Sequence, residues 1–128
     1  MIDPVFSERA SPVSFAGPKR FRRPAARLEE LPKIDAIFIS HDHYDHLDSS
    51  SLEYFYKNNP ETIFFAGLDS EDAFPKGCKI KTLDWTEECD FVLNDKKFKV
   101  TFVPVCHWSR RGVSDQNKRL WGGFVIET

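Results

Sequence analysis

The chain has 128 residues, of which 41% are hydrophobic, 30% charged and 14% aromatic, the profile of one globular core rather than two. Its formal charge of −2 is too small to argue for a nucleic-acid partner. No run of about 18 apolar residues is present to span a bilayer, and Met1-Ile2-Asp3-Pro4 lacks the charged-then-apolar order of a signal peptide, so an intracellular protein, cytoplasmic or peripheral to a membrane, is expected.

Residues 1–33 are rich in Pro, Ser and Arg and show no apolar period; they carry seven Lys/Arg against four Asp/Glu. They predict a long irregular segment wrapped on a core, a kind of loop that is usually functional or disordered. The basic excess is concentrated in Pro18-Lys19-Arg20-Phe21-Arg22-Arg23-Pro24 with Arg27. Flanking prolines prevent a long helix there. Such a run is either solvated or a surface for phosphate or an anionic membrane.

From residue 34 the pattern changes. Ile34-Asp-Ala-Ile-Phe-Ile-Ser40 is an apolar, β-branched run that reads as a strand buried on both faces. After a polar segment, Asp48-Ser-Ser-Ser offers helix caps, and Leu52, Phe55 and Tyr56 fall at i, i+3 and i+4, so an amphipathic helix is predicted up to about Asn58. Thr62–Ala66 reads as a second buried strand and Asp69–Phe74 as a short helix stopped by Pro75. Lys79–Leu83 alternates as a third strand, and Cys89–Leu93 is expected to pair with Lys97–Val105 across Asn94-Asp95-Lys96. Leu120–Ile126 is a last strand, which expects a successor. Cys78, Cys89 and Cys106 are odd in number and form no C-x-x-C, so each is expected to be a buried thiol, not part of a disulfide framework.

The polar segment after the first strand is where the chemistry lies. It reads His41-Asp42-His43-Tyr44-Asp45-His46, placing three of the chain's four histidines in six residues, directly before a helix N-terminus. In extended backbone, residues i and i+2 project to the same side, so His41 and His43 can reach one ion. Imidazole with carboxylate suits Zn²⁺, with Fe and Mn also compatible with these ligand types. Four ligands so close together crowd a single tetrahedral centre. Two adjacent ions relieve this: one on His41 and His43, the other on Asp45 and His46, with solvent shared between them. The fourth histidine, His107, follows a strand and can swing in as the third nitrogen of the first ion; taken alone it reads rather as an ordinary core or surface histidine. Asp42 reads either as a partner that orients an imidazole or as an exposed carboxylate. Tyr44 and Trp108 read as packing walls, and Arg110 and Arg111 as either a phosphate clamp or a solvated pair.

H-x-H-x-D-H after a buried strand, followed by a distant histidine at a strand end, resembles the metallo-β-lactamase fold. The flanking runs Asp3-Pro-Val-Phe-Ser, Gly17-Pro-Lys-Arg-Phe-Arg-Arg, Leu31-Pro-Lys-Ile-Asp-Ala, Leu83-Asp-Trp, His107-Trp-Ser-Arg-Arg and Asn117-Lys-Arg-Leu-Trp-Gly resemble its N-acylphosphatidylethanolamine-hydrolysing phospholipase D branch. The resemblance covers nearly the whole chain. It implies an α/β protein with an αββα sandwich, of which these residues form the first βα half. Residues 1–128 are then a single partial domain, with 1–33 the irregular basic segment and 34–128 the strand and helix core carrying the metal motif. By the same resemblance His41, His43 and His107 hold the first zinc, Asp45 and His46 the second, and Asp45 also orients the attacking water.

The family's later Gly-Asp-Thr, whose Asp bridges both ions, and its final histidine are absent from the sequence. A half-sandwich is expected to expose a large apolar inner face, and so to associate with a second copy or another half; with the missing ligands, this leads to the expectation that the chain is a fragment. In the complete protein the implied reaction cleaves a phosphodiester of an N-acylated phospholipid, releasing an N-acylethanolamine and a phosphatidic acid. The alternatives are another hydrolase of the fold, of the sugar-phosphate lactonase type, or a non-catalytic zinc-binding fragment. A nuclease would need a broader basic surface than this sequence supplies.

Overall fold

The computed structural model describes residues 1–128. Six strands form two sheets. β1 (Ala36–Phe38), β2 (Ile63–Gly67) and β3 (Lys79–Leu83) make a parallel sheet in that order, and β4 (Glu88–Leu93), β5 (Lys96–Val103) and β6 (Gly123–Glu127) make an antiparallel one. α1 (Ser49–Asn58) links β1 to β2, and two single 3-10 turns lie at Leu28–Glu30 and Glu71–Ala73.

The layering follows from the pleat. Successive strand residues point to opposite faces, so Ile37, Ile39, Phe64 and Ala66 meet Leu52 and Phe55 of α1 on one side of the parallel sheet. Phe38 and Phe65 point the other way, stacked on each other at 4.8 Å, and pack with Leu83, Val100 and Phe102 between the sheets. That double duty is why β1 and β2 read as continuous apolar runs. Helix, sheet and sheet form three layers, the α/β arrangement expected from the sequence.

Several boundaries move. The first strand ends at Phe38 because Ser40 and His41 leave the sheet for other partners. β5 stops at Val103, since Pro104 has no N–H to continue the ladder. The hairpin loop contains two residues, not three: Asn94 and Asp95 both take positive φ, 49° and 61°, the left-handed pair a type I′ turn requires. Residues 120–122 are not strand. They cross over the ends of the first sheet, where Leu120 N–H donates to Leu68 O and Gly122 N–H to Ser40 O, both at 2.9 Å. Asp69–Phe74 yields only the turn at Glu71–Ala73.

Asp48 caps α1, accepting from Ser50 N–H, and also accepts the N–H groups of Phe6 and Ser7 and the hydroxyls of Ser7 and Ser51. One carboxylate thereby fixes the helix start and anchors the irregular N-terminal segment. Further upstream, Met1–Asp3 runs beside β1, with Asp3 N–H on Phe38 O and Phe38 N–H on Met1 O.

Two expectations are corrected. Cys106 is exposed, and Cys78 and Cys89 are only partly buried. The inner face that a half-sandwich is expected to expose is covered, because the two sheets pack on each other through Phe38, Phe65, Leu83, Val100 and Phe102, and the outer face of the second sheet carries Glu88, Asp90, Lys97, Lys99 and Glu127 among its valines. The most exposed apolar side chains, Phe15, Phe21 and Val113, stand on the irregular segments, and a mouth of about 320 Å³ between the sheets is lined by Met1, Phe38, Phe91 and Phe98. No helix is long and apolar enough to cross a membrane.

Candidate metal centre

The histidines gather at the carboxyl end of β1, where the backbone turns from strand into loop. His41 is buried, His43 half-buried and His107 exposed, and one ring nitrogen from each lies within 4.8 Å of the other two. His107 comes from the irregular stretch after β5, yet its Nε2 lies 2.9 Å from Nε2 of His41. Trp108 stands edge-on to His43 with ring centroids 4.5 Å apart, walling that side as expected.

Hydrogen bonds around the cluster dictate which ring nitrogens are free. Ser40 Oγ donates to Asp3 Oδ2 at 2.6 Å, so with its one proton used it accepts from His41 Nδ1 at 2.9 Å. His41 therefore presents an unprotonated Nε2 to the cluster. Asp3 Oδ2 also accepts from His46 Nδ1 at 2.8 Å, leaving Nε2 of that ring free as well. Burial, followed by the neighbouring His46, His107 and His43, pushes the His41 pKa down to about 4. Burial likewise lowers that of His43. Both rings are thus neutral near pH 7, the form that binds metal.

These residues fit a metal ion. His43 Nε2 is buried without any hydrogen-bond partner, an arrangement that is costly unless something else satisfies the atom. Three imidazole nitrogens, that of His41 presented by its bond to Ser40, are a donor set suited to zinc, iron or manganese.

Asp45 and His46 lie beside this triad. The His46 ring is 4.1 Å from that of His41, and its Nε2 is 3.8 Å from the largely exposed Asp45 carboxylate. They form an adjacent pair and do not join the converging set of three.

Asp42 is neither exposed nor an imidazole partner. Its buried carboxylate accepts from Arg110 N–H at 2.8 Å and pairs with Arg119 at 3.2 Å. Arg110 and Arg111 are not a phosphate clamp: the Arg110 guanidinium bonds the carbonyls of Gly112 and Val113. Arg111 donates to the carbonyls of Asp42 and Leu47, and its guanidinium sits 4.2 Å above the Tyr44 ring. A cavity of about 410 Å³ around Phe6, Arg23 and Leu28 contains none of the histidines.

Asp3, Ser40 and Arg119 are the residues that motif spacing did not single out. Asp3 and Arg119 stood only within flanking runs, and Asp3 meets Ser40 across 37 positions, a distance no local pattern encodes.

A family model described as a beta-lactamase superfamily domain matches residues 1–128. The chain belongs to the beta-lactamase superfamily. Within it, the chain is 40% identical over 98% of its length to N-acyl-phosphatidylethanolamine-hydrolyzing phospholipase D 1 of Caenorhabditis elegans, covering 37% of that protein. It is 36% identical, again over 98% of its length, to the mitochondrial N-acyl-phosphatidylethanolamine-hydrolyzing phospholipase D of Saccharomyces cerevisiae, covering 27% of it. This superfamily chain thus spans about a third of the length of the curated relatives it matches. Among solved structures, a crystal structure described as a metal-dependent hydrolase from Parabacteroides distasonis superposes with a TM-score of 0.52 at 23% identity, over 80% of this chain and 43% of that one. The likeness carries the fold, and with it the superfamily's layered architecture.

Proposed function

We propose that this chain carries the metal-binding part of a zinc-dependent phosphodiester hydrolase. In the complete protein it would cleave N-acylphosphatidylethanolamine in the phospholipase D manner, giving an N-acylethanolamine and a phosphatidic acid. The observation that carries this reading is the convergence of His41, His43 and His107, within 4.8 Å of one another, in a chain whose identity to two phospholipases of that name runs over 98% of its length.

His41, His43 and His107 are assigned to one zinc, and Asp45 with His46 to a second. When bound, zinc supplies Lewis acidity, polarising a phosphoryl oxygen and making water acidic enough to attack near neutral pH. The chain's own residues do the remainder. Ser40 and Asp3 hold His41 and His46 in the tautomers that present Nε2. Asp45, exposed beside His46, would orient the attacking water. Trp108 excludes solvent from one side of His43. With Arg110 and Arg111 engaged elsewhere, phosphate charge is left to the zinc pair and solvent.

The partner in this reading is a phospholipid, met at a membrane surface by an intracellular protein. Within the basic run, Lys19 pairs with Glu8, Arg27 with Glu30, and Arg20 is committed to the carbonyls of Val5 and Ser7. Arg22 and Arg23 remain exposed beside Phe21, which is 97% exposed, and these three residues are assigned to contact with anionic lipid.

Incubation of the zinc-loaded complete protein with N-acylphosphatidylethanolamine vesicles tests the proposal. Release of N-acylethanolamine together with phosphatidic acid, abolished by His43→Ala, is the expected result. Hydrolysis of a sugar-phosphate lactone with no phospholipid turnover would replace this reading with the lactonase one.

A further inference from the structure

The stretch between β5 and β6, residues 104–122, has no regular secondary structure, and His107 on it is exposed. Something other than a strand or helix must therefore hold His107 against His41. We infer that the buried Asp42 carboxylate, braced by Arg119, is a positioning residue that latches the His107 loop onto the loop bearing His41 and His43; the inference rests on the reading of these three histidines as metal ligands.

The geometry of the latch is specific. Asp42 lies between two of the histidines in sequence but bonds to neither ring. Its Oδ1 accepts the backbone N–H of Arg110 at 2.8 Å, three residues beyond His107, and its Oδ2 takes Arg119 Nη1 at 3.2 Å. Arg119 is itself nearly buried and also pairs with Asp115 at 2.9 Å and Asp72 at 2.7 Å. Inside the loop, the fully buried Ser109 donates its hydroxyl to Arg119 O at 2.5 Å, and Asn117 N–H returns to Ser109 O at 2.8 Å. The segment that carries His107 is thus folded around Ser109 and pinned to the His41–His43 loop at the buried Asp42 carboxylate, beside the bonds of Arg111 to the carbonyls of Asp42 and Leu47.

A buried carboxylate must be matched by donors or it destabilises its surroundings. Asp42 obtains two of its donors only when the His107 loop is docked. Docking the loop and satisfying Asp42 are therefore one event, and it delivers His107 to the cluster. A ligand set oriented in advance binds metal more tightly than one that must be ordered on binding, because the ordering cost has already been met by folding.

A double-mutant cycle on the full chain tests this, using Co²⁺ as the probe and its visible absorption as the readout. Asp42→Ala is expected to weaken Co²⁺ binding by about 10-fold or more, the effect seen when supporting residues of metal ligands are removed. In a His107→Ala background the same change is expected to cost less than about 2-fold, because there is no longer a ligand for the latch to position. Equal losses in both backgrounds, or no loss in either, would overturn the latch. If Asp42→Ala does not fold, Arg119→Gln enters the same cycle with the same two results expected and the same ones overturning it. Absence of Co²⁺ binding by the unmodified chain, or an unchanged affinity in His107→Ala alone, would remove the metal-site reading and the latch with it. Loss in His107→Ala with full binding in both Asp42→Ala and Arg119→Gln would remove the latch alone.

Discussion

Nε2 of His41 and Nε2 of His107 face each other at 2.9 Å across 66 residues of sequence. Two loops, one leaving β1 and one leaving β5, meet at this contact. The sheets place them there: β1 lies in the parallel layer, β5 in the antiparallel layer, and Phe38, Phe65 and Phe102 pack the space between. In open α/β sheets the carboxyl ends of the strands are the usual location for ligands, and here the carboxyl end of β1 runs directly into the histidines.

Asp3 supports this arrangement from behind, through Ser40 and His46. Asp3→Ala should free both imidazoles to change tautomer and weaken zinc binding by about 10- to 100-fold. Competition with a chromophoric chelator measures it, and an affinity equal to that of the unmodified chain would show that Asp3 serves only the backbone.

Much of the architecture is legible in the sequence because it rests on short-range pattern. The doubly buried β1 and β2, the Asp48-capped helix and the 93–96 hairpin each follow from apolar spacing, capping or turn residues. What is not legible depends on contacts between distant segments. Residues 120–122 have the apolar content of a strand, yet they bond to Leu68 and Ser40 instead. Asp42 looks exposed beside its polar neighbours, and only the arrival of Arg119 from 77 residues away makes it a buried anion. In the candidate site, the H-x-H-x-D-H spacing identifies the local ligands, whereas the contributions of Asp3 and Ser40 depend on where residues 1–3 cross β1.

The crossing of residues 120–122 demands small residues beneath it. A Cβ at Gly67 would fall on the Leu120 carbonyl, and one at Gly122 would lie 2.5 Å from the Phe102 ring. Gly67→Ala should therefore destabilise the fold by about 1–3 kcal/mol, the usual range for overpacking, read as a lower urea midpoint.

Acid should weaken the ion network around Arg119. Its hydrogen bond to Asp115, with the N–H groups of Gly112 and Arg111, holds that carboxyl at about 2, below its ordinary value of 3.8, and the Arg119 bond also lowers Asp72. For Asp48, burial pushes the other way but is outweighed by the bonds from Ser51, Ser7 and Phe6, so its pKa is lowered too. Carboxyls depressed in the folded state stabilise it above their unfolded pKa, and that contribution fades as they take up protons. Stability of the metal-free chain should thus fall as pH drops from about 4 to about 2. In Asp115→Asn the fall should be shallower. Identical acid profiles for the two would contradict the assignment.

Arg22 and Arg23 are the cations left free in the basic run. Near an anionic surface each Lys or Arg contributes about 1 kcal/mol, so Arg22→Glu with Arg23→Glu should sharply reduce co-sedimentation with phosphatidylglycerol vesicles at low salt. The difference should shrink at high salt, as charges separated by more than a Debye length are screened. Equal binding at all salt concentrations would make the run a solvated loop.

The central claim is that His41, His43 and His107 form a metal site, and zinc per chain by elemental analysis tests it most directly. The account predicts at least one zinc per purified unmodified chain and essentially none in the His41→Ala, His43→Ala double variant. Equal zinc in both, or none in either after exposure to excess zinc and desalting, would contradict it.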